Sequence, residues 1–294
     1  MYLRNQIRNQ PQTHIKREPN ITFSTCWYLF KSKFNRETYL HWIENFLSIT
    51  NHFFLVIYCD EESSPHIETF LSNPYIKRVI KPLDQFYNYR YKEKWIKNHE
   101  KNWLLRETID WPLNMLWAEK VHFVSQTMHS EYFPKTDFYG WCDIGYFRDD
   151  FTTMKSMSKN PNLFDTWCCR EKIERLDKTK IYYAMVNNNS SYIRSLFNRI
   201  QHKNAYGLPQ QPIPADQTSI AGGFFLAYRE KIDWWKNTFD QKLALYFHYD
   251  YLVKDDQIII VDIVFSSSNV SHFFLVRENM PPYNNWFLFL RYLL

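Results

Sequence analysis

The hydrophobic pattern begins at Ile21-Thr22-Phe23-Ser24-Thr25-Cys26-Trp27-Tyr28, a β-rich run that predicts a first strand. Tyr39, Ile43, Phe46 and Leu47 then recur at helical spacing, with Glu37, His41 and Glu44 elsewhere, which predicts an amphipathic helix. Phe53 to Cys59 is apolar throughout, as expected of a strand covered on both faces of a parallel sheet. It breaks at Asp60-Glu61-Glu62-Ser63-Ser64-Pro65, a strand-end loop and helix start, and Ile76 to Ile80 reads as a third strand. The opening is therefore β-α-β-α-β, and right-handed crossovers between such strands give a parallel sheet.

Lys81 to Asn102 is rich in Tyr, Lys and Asn and shows no clear period. Pro112 then stands near the first turn of a helix with Leu113, Leu116, Trp117, Val121 and Val124 on one face, and with Asn114 and Lys120 off that stripe. An aromatic strand, Asp137 to Cys142, runs into Asp143, and a polar loop follows through Lys159. Thr166–Lys172, Ile181–Val186, Ser219–Tyr228 and His272–Val276 read as strands. Ser190–Gln201, Glu230–His248 and a segment after Asp255 read as helices, and Leu208 to Pro214 is a proline-rich loop. No composition shift or internal repeat marks a second domain, so residues 1–19 are expected to be a loose polar arm and 20–294 a single α/β domain.

Composition narrows the chemistry. Of 294 residues only 5 are Gly, and neither G-x-G-x-x-G nor G-x-x-x-x-G-K occurs, which removes Rossmann dehydrogenases and P-loop enzymes. Aromatics reach 19%; most belong in the core, but Trp and Tyr also stack on the apolar faces of sugars. A formal charge of +5, densest at Arg4–Arg17 and Arg90–Lys101, is too mild for nucleic acid and fits a solvated or phosphate-attracting surface. The five cysteines are scattered, and Cys26, Cys59 and Cys142 sit inside apolar runs, as expected in a reducing compartment. There is no secretory h-region and no apolar run of spanning length, so a cytoplasmic protein is expected. Heavy use of Asn, Lys, Ile, Tyr and Phe fits an AT-rich genome, such as that of a large virus, whose product would work in the host cytoplasm.

Asp143 is the first candidate for chemistry. It ends an aromatic strand beside Gly145 and Arg148, and open α/β sheets bind ligands at that edge. One carboxylate and one cation there suit a metal-diphosphate; a turn cap is the plain alternative. Asp255-Asp256-Gln257 precedes an apolar helical run and is either an acidic helix start or a catalytic pair. Gly222-Gly223 inside a strand marks a bulge or a place where a ligand nears the backbone. Trp234-Trp235 is core or a stacking wall, and His272 is a structural histidine or a metal ligand.

The order of these motifs resembles the HtrL/YibB-like glycosyltransferase family and, more broadly, the GT-A superfamily. The resemblance rests on Thr22 to Tyr28 followed by Arg36, Tyr39 and Trp42, on Asn114 to Lys120, on Trp141-Cys142-Asp143-Ile144-Gly145, and on Gly222 through Asp256-Gln257. It implies a GT-A-like single domain with a mixed, mostly parallel central sheet flanked by helices. Residues 20–150 would form its nucleotide-binding half and 151–294 its acceptor-binding half. The implied reaction moves a sugar from a nucleoside-diphosphate sugar to a glycan or protein-linked acceptor. Thr25, Tyr28 and Asp60 would meet the nucleoside, Lys120 and Arg148 would serve the diphosphate, and Asn114 would also bind the donor. Asp143 would stand at the position of the family's DxD signature, with His272 as a further ligand of a Mn²⁺ or Mg²⁺ ion. Asp256, or Asp255 in its place, would be the acceptor-side base, with Gly222 and Gly223 as the floor and Trp234 or Trp235 as a wall. Asp143-Ile144-Gly145 lacks the second acid of that signature, which puts metal dependence in doubt. It also leaves a competing reading, a carbohydrate- or nucleotide-binding protein that kept the fold and lost catalysis. A phosphate-processing hydrolase is a weaker third, since no His/Asp metal cluster is visible.

Overall fold

The computed structural model describes residues 18–148, 164–279 and 284–294. The arm expected over 1–19 and the polar loop expected through Lys159 lie, save for their ends, outside the described residues. Seven strands are β1 (Ile21–Trp27), β2 (Phe54–Cys59), β3 (Ile76–Ile80), β4 (Phe138–Cys142), β5 (Ile181–Ala184), β6 (Phe224–Tyr228) and β7 (Phe273–Val276). They form one sheet in the order β3-β2-β1-β4-β6-β5-β7. β1 pairs in parallel with β2 and β4, β2 with β3, and β5 with β7, whereas β6 runs antiparallel to both β4 and β5. Among these strands β6 alone opposes the rest, so the sheet is mixed and mostly parallel, as expected.

Apolar side chains explain why β1, β2 and β4 lie at the centre: every residue in each of them is buried. One face is covered by α1 (Arg36–Ser48), whose N-terminus is capped by Asn35 accepting from Thr38 N, and by the C-terminal segment. The other face carries α3 (Trp111–His129) and α6 (Arg229–His248); α2 (Lys92–Lys101) packs beside α3. Asp110 caps α3 by accepting from Leu113 N, with Pro112 in the first turn where its missing N–H costs nothing. Two buried polar contacts fix the register of α3 against the sheet. Ser24 Oγ donates to Thr127 Oγ1 at 2.8 Å, and Tyr58 Oη lies 2.9 Å from the same hydroxyl. Phe123 stacks on Tyr58 between them. With α3 pinned, Lys120 is held two turns back, over the carboxyl end of β4.

Three expectations change. Thr166–Lys172 is no strand; a turn leads into α4 (Arg170–Glu174). Its apolar Trp167 and Cys168 are buried beneath the C-terminal segment, with Cys169 N donating to Leu293 O, while β5 and β7 take the places beyond β6 in the sheet. The strand expected from Ser219 starts only at Phe224, after an isolated bridge from Ile220 to Met185 and a break at Gly222-Gly223. The helix start at Asp60–Pro65 becomes a 3₁₀ helix, Ser64–Phe70. The unassigned stretch after Lys81 holds two short 3₁₀ helices and α2. The remaining helices are α5 (Ser190–Gln201), α7 (Asp256–Val264) and the short α8 (Leu288–Tyr292).

Candidate active site

Chain direction creates the site. β1 connects to β2 on one side and lies beside β4 on the other, so the strand order reverses between β1 and β4. A crevice opens there, beyond the carboxyl ends of the strands, where open α/β sheets take ligands. Asp143 is the first residue after β4. A Cβ on Gly140 would come within 2.3 Å of Phe225 O, so glycine is required for β4 to approach β6 this closely. That approach sets Asp143 N to donate to Gly223 O at 2.8 Å, and Trp141 Nε1 donates to Asp143 Oδ1 at 2.6 Å. The carboxylate therefore does not cap its own turn; Tyr146 N is served by the Asp143 carbonyl instead.

Lys120 joins this acid to a second one. Its ammonium lies 3.1 Å from Asp143 Oδ1 and 3.1 Å from Asp256 Oδ2, and donates to Gly222 O at 2.9 Å. These three partners match the three N–H donors of a lysine. Burial pulls the Lys120 pKa down, but the Asp143 and Asp256 carboxylates together outweigh it and hold the group charged well above the usual lysine range. Asp256 responds differently. Burial raises its pKa, Lys120 lowers it, and Asp255 and Asp143 raise it again, leaving it pushed up to about 7. The two acids also differ in access, with the Asp143 side chain 41% exposed and that of Asp256 5%.

The two glycines have a local explanation. A Cβ on Gly222 would sit 2.9 Å from both carboxylate oxygens of Asp256, and one on Gly223 would sit 3.0 Å from Asp143 Oδ2. Each glycine makes room for one acid, so here the close approach to the backbone is made by the protein's own carboxylates. Gly222→Ala is therefore expected to push Asp256 off Lys120. Overpacking of this kind costs about 1–3 kcal/mol. The check is thermal unfolding together with any reaction the site supports, which should fall at least about tenfold. Unchanged activity with an unchanged melting temperature would show that Asp256 has freedom the packing denies it.

Asp255 holds the N-cap position of α7, yet its side chain makes no capping bond. It pairs with Lys254 at 2.7 Å and leaves Oδ1 buried without a partner. The Val253–Lys254 segment that presents it is pinned by asparagines. Asn98 exchanges two bonds with the Val253 backbone, and Asn102 and Asn114 both donate to Lys254 O. Asn114, expected at the donor, thus shapes the loop that carries Lys254 and Asp255.

The cleft over these groups encloses about 410 Å³. Lys33, Arg148 and Lys254 contribute positive charge to its lining, and Phe34, Trp117, Trp286 and Phe287 contribute aromatic walls. Arg148 packs against Phe34, Trp42 and Phe287, and its Nε donates to Gly145 O. Gln217 and Gln257 also line the cleft. Gln217 is 2% exposed, with Oε1 accepting from Ser219 N and Oγ and Nε2 left unpartnered; Gln257 Oε1 is unpartnered too. A smaller cavity of about 90 Å³ adjoins it at the end of β1, lined by Trp27, Tyr28, Trp117 and Trp141 and sharing Tyr39, Asp143, Gly145 and Arg148 with the cleft.

The other expected residues lie apart. Thr25 is buried within β1 and lines neither cavity. Asp60 accepts from Ser63 N and starts the following 3₁₀ helix. Trp235 is core, donating to Tyr183 Oη, and Trp234 packs against His272. Both belong to the first two turns of α6, which leaves β6 at the sheet edge opposite Asp143; His272 precedes β7 at that same far edge. Neither the Trp pair nor His272 meets the cleft, because β6 runs against β4 and delivers the start of α6 to the edge away from the carboxyl ends. Lys33, Phe34, Gln217, Trp286 and Phe287 are among the cleft residues that the pattern did not single out. Only the Gly222-Gly223 break hinted that the segment before it turns inward.

Among the described residues the donor set does not fit a divalent ion held between Asp143 and Asp256. A dication shared by Asp143 and Asp256 would take the place the Lys120 ammonium holds, and His272 is at the wrong edge to complete its shell. Among the described residues no group of three or more His, Cys, Asp or Glu side chains gathers to hold a metal. The positive charge between the two acids belongs to the protein.

No known family profile matches the chain, and no curated protein sequence matches it. Solved structures do align with it. Mouse xyloside xylosyltransferase 1, in its apo form, is 13% identical over 88% of this chain and 85% of that one, with a TM-score of 0.44. Galactosyltransferase LgtC, in complex with donor and acceptor sugar analogs, is 12% identical over 82% and 69%, with a TM-score of 0.40. Core-mannan synthase A from Aspergillus fumigatus, in a Mn/GDP form, is 11% identical over 92% and 76%, with a TM-score of 0.41. At these identities the likeness is one of chain path, not of residues.

Proposed function

We propose that the chain is a glycosyltransferase that moves a sugar from a nucleoside-diphosphate sugar to a glycan or protein-linked sugar. One observation carries this reading: Asp143 and Asp256, bridged by buried Lys120, face a cleft at the strand-order reversal whose wall holds unpartnered polar atoms. Gln217 Nε2 can donate, and Asp255 Oδ1 and Gln257 Oε1 can accept. Sugar hydroxyls donate and accept at once and suit such a mixed set, which a pyranose would satisfy once these buried side chains turn toward the cleft. The aromatic cavity at the end of β1 suits a flat nucleobase, with Tyr28 on its lining. Lys33, Arg148 and Lys254 stand around the cleft to neutralise a diphosphate leaving group.

In this reading the bond from the sugar C1 to the diphosphate oxygen breaks as an acceptor hydroxyl attacks C1, and Asp256 takes the hydroxyl proton. Asp143, the more open acid, faces the donor. Its lone carboxylate, followed by Ile144 and Gly145 rather than a second acid, also suits a binding protein without catalysis. Thermal-shift titration with UDP-, GDP- and dTDP-sugars, followed by transfer and hydrolysis assays, separates the two. Donor-specific stabilisation with turnover supports the enzyme, and stabilisation without turnover supports the binding protein. Asp143→Asn is expected to keep the fold and lower transfer by about 10²–10³, the scale of losing one electrostatic contact to the reacting groups. Normal turnover in that variant would remove Asp143 from the site.

A further inference from the structure

A second concave surface shares none of its lining residues with the cleft. Lys172, Arg175 and Leu176 of α4 and the turn after it, Val276, Arg277 and Glu278 at the end of β7, and Leu288, Arg291 and Tyr292 of α8 enclose about 450 Å³. Its charge is lopsided. Arg291 is paired with Glu278, its Nε donating at 2.7 Å and Nη2 lying 2.5 Å from the same oxygen. Lys172, Arg175 and Arg277 have no ion-pair partner among the described residues, so three cations border the groove without compensation. Three like charges around one concavity repel one another and focus a positive potential into it, which an anionic ligand relieves. The floor is apolar, made by Leu176, Val276, Leu288 and Tyr292.

The groove is connected to the site by a short piece of chain. Trp286 and Phe287 line the cleft, and the next residue, Leu288, begins the helix that lines the groove. Leu288, on the groove, thus follows directly in the chain on Phe287, on the cleft. From this we infer that the groove binds an anionic saccharide, one carrying carboxylate, phosphate or sulfate groups, as the distal part of the acceptor. Uncompensated guanidinium forks recognise such groups, and the tyrosine and aliphatic floor takes the apolar face of a ring. A flat bilayer cannot enter a concavity, and among the described residues none of the exposed large hydrophobic side chains lines it. The link to an acceptor rests on the glycosyltransferase reading; the binding itself does not.

The test uses the full chain without donor. Binding of a sulfated oligosaccharide is compared with that of a neutral dextran of equal length, at two salt concentrations. The sulfated ligand is expected to bind tighter and to weaken with salt. Arg175→Glu combined with Arg277→Glu should reduce its affinity about thirtyfold, as for two lost charge-assisted contacts. Lys94→Glu with Lys97→Glu, on the exposed face of α2, should change nothing. Equal binding of dextran, or full affinity in the Arg175/Arg277 double variant, overturns the proposal. So does tighter binding of polyglutamate or of phosphatidylglycerol vesicles than of the saccharide, which would assign the groove to an acidic peptide or a membrane. Groove binding with no response to any nucleotide sugar would instead leave this inference standing and sink the glycosyltransferase reading.

Discussion

Lys120→Met is expected to destabilise the protein by about 3–5 kcal/mol at pH 8, the range for removing one partner of a buried ion pair. Methionine keeps the length and apolar stem of the side chain, so the loss reports charge rather than a cavity. Without the ammonium, Asp256 keeps its buried position next to Asp143 and Asp255 with nothing to offset their repulsion. Its response is to hold a proton, which predicts a pH dependence with a definite sign. A carboxyl whose folded pKa lies above its unfolded value loses stability as pH rises from the unfolded value through the folded one. For Asp256 that window runs from the ordinary carboxyl range to about 7, and losing Lys120 removes the influence that lowers its pKa. The Lys120→Met penalty should therefore be small at pH 5 and largest at pH 8. Lys120→Met combined with Asp256→Asn should recover much of it, giving a coupling energy of about 1–3 kcal/mol. Equal melting temperatures for wild type and Lys120→Met at pH 8 would mean that Lys120 is not the charge that holds the two acids together.

The reason this cluster was only half legible in the sequence is geometric. Periodicity located Lys120 and Asn114 as polar positions off an apolar stripe, and strand pattern placed Asp143 at an edge. Both readings are local, and local pattern is what a chain shows directly. The sheet's mixed, mostly parallel character also followed from pattern, since β1 to β4 alternate with helical segments. Strand direction in the second half is absent from that pattern. Nothing in Phe224–Tyr228 says that it runs against β4, yet that reversal decides everything downstream. It brings Gly222 and Gly223 to Asp143 and sends Trp234, Trp235 and His272 to the far edge. The acidic pair after Lys254 was legible, with Asp256 ahead of Asp255, but their partners were not: Asp255 pairs with its neighbour Lys254, while Asp256 reaches Lys120, and only the phase of α7 separates the two. The C-terminal wall, Trp286 and Phe287, had no signal beyond being aromatic in a chain full of aromatics.

Asp256→Asn is expected to abolish transfer while leaving donor binding within about twofold, because a general base contributes to the barrier and not to ground-state affinity. The loss should be about 10²–10⁴ in the rate of transfer. Asparagine fits the space that Gly222 leaves and can still accept from Lys120, so the fold survives and the melting temperature at pH 8 should not fall. Removing a buried charge that costs stability in that range is, if anything, favourable. The same carboxyl is expected to set the pH profile of the wild type. With a pKa near 7, Asp256 is protonated and inactive as a base below that pH, so transfer should rise about tenfold per unit from pH 5 to 6 and level off above about 7. In Asp256→Asn the residual rate should lose that rise. A variant that transfers normally would leave Asp256 as a structural partner of Lys120. A variant that loses donor binding as well would place the acid at the donor, where it orients the sugar instead of accepting a proton.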